Sequence, residues 1–164
     1  MMYWIILAVI AIVLFGPALL ADRSPIPETS GDVYKITTAA ELDTVLSSNS
    51  HVVVDFYADW CPPCRAIAPV FSKLADEHSA KGKLAFAKVN VDHVNAVAGK
   101  YGVSAMPTFV FFANGKPQAV DAPQVKQGGQ SVVADAAGHV EKIRGADPVA
   151  LTAVVSALSA KAKQ

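Results

Sequence analysis

Residues 52–64 read Val52-Val53-Val54-Asp55-Phe56-Tyr57-Ala58-Asp59-Trp60-Cys61-Pro62-Pro63-Cys64. The first six positions form a nearly continuous run of β-branched and aromatic residues, the pattern of a strand buried on both faces in the middle of a sheet. One acid, Asp55, interrupts it. From Cys64 onward Ile67, Ala68, Phe71, Leu74 and Ala75 recur at helical spacing, with Pro69 at the point where a kink would fall. A central strand therefore runs into a helix, and two cysteines sit at the junction.

The flanking sequence alternates in the same way. Val33–Thr37 reads as a short strand, and Thr38 followed by Glu41 is a capping box that opens a helix through about Ser48. Leu84–Val91 is a strand, Asn95–Tyr101 a short helix, Pro107–Phe112 a third hydrophobic strand and His139–Arg144 a further one. Asp147-Pro148 caps a last helix whose Leu151, Val154, Val155 and Leu158 form one stripe. Strands alternating with helices predict an α/β domain with a mixed sheet. Asn114-Gly115 is a hairpin-turn signal with no convincing strand close behind it. Lys116 to Gly138 is polar, rich in Gly and Ala and without period, so a surface insertion is expected at about 116–138.

The amino-terminal end is different in kind. Residues 3–21 carry no charged side chain, and a bilayer-spanning helix needs roughly 17–25 apolar residues. Residues 1–21 are therefore expected to be a hydrophobic signal-anchor segment, with a cleaved secretory signal or a buried core helix as alternatives. Arg23 and Lys35 after the segment favour a cytosolic carboxyl-terminal domain. Residues 22–32, with Pro25, Pro27 and Gly31, read as an extended linker to a domain at 33–164.

Composition narrows the function. The chain has 164 residues, 52% hydrophobic, with 14 Lys+Arg against 14 Asp+Glu, so there is no overall basic field for nucleic acid. Two cysteines cannot supply a four-thiolate zinc site or a dense disulfide framework. His51, His78, His93 and His139 show no short paired ligand spacing, and no metal is expected. At a helix amino terminus, Cys61 would be favoured as a thiolate and Cys64 would lie one turn away, able to attack a mixed disulfide. Two inert core thiols are the bland alternative. An acid embedded in an apolar strand, as Asp55 is, should have a raised pKa.

The stretch Val53–Cys64, followed by Pro69, Lys88-Val89-Asn90-Val91-Asp92, Met106-Pro107-Thr108 and Gly145-Ala146, closely resembles the thioredoxin family. The resemblance covers most of residues 33–160 and implies a thioredoxin fold, a central mixed sheet flanked by helices, and reduction of protein disulfides. It further implies Cys61 as attacking thiol, Cys64 as resolving thiol, Asp55 as buried proton acceptor and Lys88 as its neighbour. Trp60, Met106, Pro107 in a cis bond and Gly145 would bind substrate, and Pro62 and Pro63 would tune the site. The pair replaces the family's usual Gly-Pro; proline has no N–H, so Pro62 offers a thiolate no donor. No cofactor is implied beyond the redox-active Cys61–Cys64 disulfide. The expected partners are disulfide-containing proteins, a thioredoxin-reductase-like electron donor and, through the amino-terminal segment, a membrane; a monomer is expected. An oxidase or isomerase on the same fold, or a redox-independent binding module, is the alternative.

Overall fold

The computed structural model describes residues 2–19, 22–125 and 129–164, with all their side chains except those of residues 15 and 17–19. Residues 1, 20 and 21 of the expected anchor and residues 126–128 of the expected insertion lie outside the described residues.

Strands β1 (Val33–Ile36), β2 (His51–Tyr57), β3 (Leu84–Asn90), β4 (Thr108–Ala113), β5 (Lys116–Pro117), β6 (Val132–Ala134) and β7 (Val140–Arg144) form one mixed sheet. Its order is β1-β3-β2-β4-β7-β6, with β5 paired to β4. The first three strands are parallel and β4, β7 and β6 run antiparallel to their neighbours. The run at 52–57 thus lies in mid-sheet, every residue of it buried.

Side-chain parity along the strands decides which helix each residue meets. Val53, Phe86, Phe109 and Phe111 face α3 (Pro62–His78) and α5 (Pro148–Ala162), where Ile67, Phe71, Leu74, Leu151, Val154 and Leu158 complete one core. Val52, Val54, Phe56, Ala87 and Phe112 face α2 (Ala39–Ser48) and α4 (Asn95–Lys100), and pack with Leu42, Leu46 and Val97. Asp55 follows Val53 by two residues and Lys88 follows Phe86 by two. Both therefore point to the α3 side.

The capping box that opens α2 is formed in full: the Glu41 N–H donates to Thr38 Oγ1 at 3.2 Å and the Thr38 N–H to Glu41 Oε2 at 3.3 Å. Asp147 caps α5 by accepting the Ala150 N–H at 2.9 Å.

Three expectations change. The stretch 116–138 is no plain surface loop. Asn114 (φ 50) and Gly115 (φ 80) make a turn with both central residues left-handed, and the chain returns at once as β5. Val120, Ala122 and Val125 then enter the α3/α5 core, and β6 adds a strand beside β7.

Residues 22–32 are not a free linker. Ile26 is buried with Tyr57, Ala58, Cys61 and Cys64, the Ile26 N–H donates to Asp59 Oδ1 at 3.1 Å, and Ser30 Oγ donates to Asp76 Oδ1 at 2.6 Å. Arg65 clamps the segment from α3: its guanidinium donates to the Ser24 carbonyl, pairs with Asp22 at 3.4 Å and, through Nε, holds the Asp59 carbonyl at 3.0 Å.

The third concerns the amino terminus. Helix α1 covers Met2–Leu19; 18 residues at about 1.5 Å each reach roughly 27 Å, against about 30 Å of bilayer hydrocarbon. Among the described residues no helix is long and apolar enough to cross a membrane. The spanning anchor is corrected accordingly.

Candidate active site

Cys61 is the N-cap of α3, and its sulfur accepts the Cys64 N–H at 3.3 Å. The two prolines occupy the first turn, where their missing N–H groups have no helical partner to lose. This explains how two consecutive prolines are tolerated: they preset the helix start. Cys61 and Cys64 are joined in a disulfide with Cα atoms 5.2 Å apart, both buried. Helix-terminal N–H groups and the aligned peptide dipoles place partial positive charge at Cys61.

The loop before β4 closes the site from the opposite side. The Met106–Pro107 bond is cis, and the Met106 carbonyl oxygen lies 3.6 Å from Cys61 Sγ. The Gly145 N–H donates to the Pro107 carbonyl at 2.7 Å, fixing that loop from the end of β7. Gly145 has φ 99, which favours glycine, and no atom stands within 4 Å of where a Cβ would sit. Backbone can approach there.

Trp60 stands at the rim, 45% exposed, so it does not fill the core. Its Nε1–H donates to Asp92 Oδ2 at 2.8 Å. The Asp92 N–H in turn donates to Asn90 Oδ1 and the Asn90 amide to Asp59 Oδ2, both at 3.0 Å. The sequence motif contains these residues, but nothing in their spacing marks this chain of hydrogen bonds from the rim to the turn before Cys61.

Beside Cys64, a cavity of about 20 Å³ is lined by Asp55, Cys64, Tyr57, Lys88, Ile26 and Glu28 among others. Its size admits one water molecule. Asp55 is 4% exposed, and its Oδ1 is buried without a hydrogen-bond partner. Burial disfavours the carboxylate and pushes the Asp55 pKa up to about 7; the Lys88 charge pulls the other way and loses. Tyr57 is pushed up to about 12, first by burial and then by the negative charges of Asp59, Glu28 and Asp55.

Lys88 neighbours Asp55 across the β2/β3 register. Its side chain is 12% exposed, and its ammonium pairs with Glu28 Oε2 at 2.7 Å and lies 5.7 Å from the Tyr57 ring centroid. Glu28 also holds Lys35, at 3.5 Å. Burial works to raise the Glu28 pKa, but the two lysines outweigh it and hold it below the usual range. Ile26, Glu28 and Arg65 thus belong to the site's surroundings although no motif points to them. Among the described residues no group of three or more His, Cys, Asp or Glu side chains could hold a metal ion.

The arrangement is a dithiol pair at a helix start, facing a cis-proline loop and backed by a buried acid of near-neutral pKa. The thioredoxin family model matches residues 33–134. A thioredoxin-like protein of Fusarium culmorum is 49% identical over 132 residues, covering 80% of this chain and 95% of that protein. Thioredoxin of Neurospora crassa is 52% identical over 99 residues, covering 60% of this chain and 78% of that one. The crystal structure of Malassezia sympodialis thioredoxin superposes with a TM-score of 0.59 at 34% identity, covering 81% of this chain and 96% of that one. Such proteins act on disulfide substrates with a reductase as electron donor, and use no cofactor beyond their own cysteine pair. The chain belongs to the thioredoxin family, and it is a thioredoxin-type disulfide oxidoreductase.

Proposed function

We propose that this chain is a thioredoxin with a Trp-Cys-Pro-Pro-Cys site that reduces disulfides of target proteins, working as a monomer held at a membrane by α1. The observation that carries the redox reading is the sulfur of Cys61 at the start of α3, bonded to Cys64 and facing the cis Met106–Pro107 loop.

In the reduced protein the Cys61 thiolate attacks one sulfur of the target disulfide, forming a mixed disulfide while the other target sulfur leaves as a thiolate. Trp60 and the Met106 backbone flank the approach. Cys64 then gives its proton to the Asp55 carboxylate, directly or through one water in the cavity they share. Its thiolate attacks Cys61 Sγ, the Cys61–Cys64 disulfide forms, and the second target sulfur leaves. Two electrons pass from the dithiol to the target, and an external reductase restores them. A pKa of about 7 suits Asp55 both to accept this proton and to release it near neutral pH. The structure is the oxidised end of that sequence.

The membrane reading is supported by α1, whose described side chains are uncharged and almost all exposed. A helix whose described side chains are uncharged and exposed around it finds its favourable surroundings in lipid.

The test is the reduction potential of the full chain in glutathione buffers, read beside its rate of protein-disulfide reduction. A potential near about −270 mV is expected for a reductase. A value near about −180 mV would make it an isomerase or oxidant instead, tuned by the donor that Pro62 withholds. Full biological activity of a chain with both Cys61→Ser and Cys64→Ser would replace redox chemistry with a binding role.

A further inference from the structure

The segment between α1 and β1 lies where only a connection was expected, and its polar contacts converge on one side of the redox centre. Ile26 closes over Cys61, Cys64 and Tyr57. Asp59 accepts the Ile26 N–H, and Arg65 holds the Ser24 carbonyl before it and the Asp59 carbonyl. Two residues further on, Glu28 reaches the cavity that holds Asp55 and takes the Lys88 ammonium.

Lys88 has two carboxylates to choose between. Asp55 is its neighbour across the strands and carries a buried oxygen with no partner. Glu28 is about half exposed, at 49%. An isolated lysine beside a buried carboxylate would be expected to turn to it. Here its ammonium is paired with Glu28, and the segment residues Ile26, Pro27 and Glu28 complete the wall of the cavity.

We propose that Glu28 is a positioning residue of the redox site: it draws the Lys88 ammonium to the outer side of the Asp55 cavity and keeps residues 26–28 closed over it, so that Asp55 remains free to take the Cys64 proton. This rests on the proton-accepting role proposed above for Asp55. Glu28 does not touch substrate or sulfur. It acts through Lys88.

The groups facing Asp55 are Lys88 from β3, Tyr57 from its own strand, Cys64 from α3 and Glu28 from the docked segment. Removing the Glu28 charge releases Lys88 toward Asp55 and removes a negative neighbour. Both effects favour the Asp55 carboxylate, so they add in one direction.

The experiment follows the Asp55 carboxyl carbon by NMR across pH in the full-length oxidised chain in detergent micelles, where neither cysteine titrates. It is paired with the pH profile of target release by Cys64 in the reduced chain. With Glu28→Gln the Asp55 midpoint is expected to fall by about one pH unit or more, and the release profile to move with it. Glu28→Asp, which keeps the charge on a shorter stem, is expected to recover part of the shift. Lys35→Met, which removes the other lysine on Glu28, is expected to leave the midpoint in place. Because Glu28 and Lys35 are exposed, these variants should keep the domain fold, and its thermal midpoint checks that they do.

An unmoved Asp55 midpoint in Glu28→Gln, with a release profile that still follows Asp55, would overturn the proposal and leave the Asp55 role standing. A release profile indifferent to Asp55→Asn would remove the Asp55 role itself, and the proposal with it.

Discussion

In a chain carrying Cys64→Ser, target disulfides are attacked but the products are not released, and a covalent adduct between Cys61 and the target accumulates to about one equivalent per chain. Serine nearly matches cysteine in size, and the backbone N–H of residue 64, which points at Cys61 Sγ, is unchanged. The site's entrance and its attacking sulfur therefore survive. What is lost is the second nucleophile, since a serine hydroxyl is too weak an acid to replace a thiol at neutral pH. Mass spectrometry under non-reducing conditions should show chain plus target, with the adduct removed by excess dithiothreitol. Multiple-turnover reduction should be lost. Cys61→Ser should give neither adduct nor turnover. Continued turnover by the Cys64→Ser chain would show that Cys61 works without its partner, contrary to the sequence of steps proposed above.

Replacing Asp55 by Asn should change stability more than any surface substitution, and the change should depend on pH. In the unfolded chain Asp55 titrates near its ordinary value of 3.8; in the folded chain burial raises it to about 7. Between those values the folded protein holds a proton that the unfolded chain has released. Stability carried by the neutral acid is thus complete below the lower value, falls as pH rises through the upper one, and stays lost above it. A difference of about three units corresponds to about 4 kcal/mol. The stability difference between Asp55→Asn and the parent is therefore expected to shift by about 4 kcal/mol in favour of the variant between about pH 4 and about pH 8. Denaturant unfolding at a series of pH values measures it, and parallel pH curves would show that Asp55 does not titrate abnormally. The same variant should slow release of the mixed disulfide, because Cys64 loses its proton acceptor. Stability and activity would then part company at one residue.

Much of this was legible in the sequence because it rests on short-range pattern. The 52–57 run announces a strand with no wet face, and the spacing from Val53 to Asp55 places the acid on the helix-α3 side once the strand is granted. Thr38 and Glu41, or Asp147 and Pro148, fix helix starts through contacts three residues long. The cysteine pair, the acid six residues before it and Met106-Pro107 marked the elements that the fold brings together.

What the sequence concealed depends on contacts far along the chain. Val120, Ala122 and Val125 are scattered apolar residues among polar ones, too few to show a period, and they acquire meaning only when β4, β5 and β7 close over α3 and α5. A strand of three residues, such as β6, is shorter than any alternation that could reveal it. Ile26, between two prolines, has the look of linker and becomes core because Asp59 holds its own N–H and Arg65 the Ser24 carbonyl before it. Lys88 was readable as a neighbour of Asp55; that its ammonium belongs to Glu28, 60 positions earlier in the chain, was not.

The short outer strands have a further consequence. One border of the sheet is β1, with four residues, and the other is β6, with three and a register irregularity at Val133/Ala134. An open strand border is a template on which another chain can add its own backbone, the start of both domain swapping and fibril growth. Here each border ends before such a ladder could gain length, and Lys35 adds a charge to the first of them. A disulfide oxidoreductase that meets other protein chains must touch them without being joined by them. These curtailed margins let it do so.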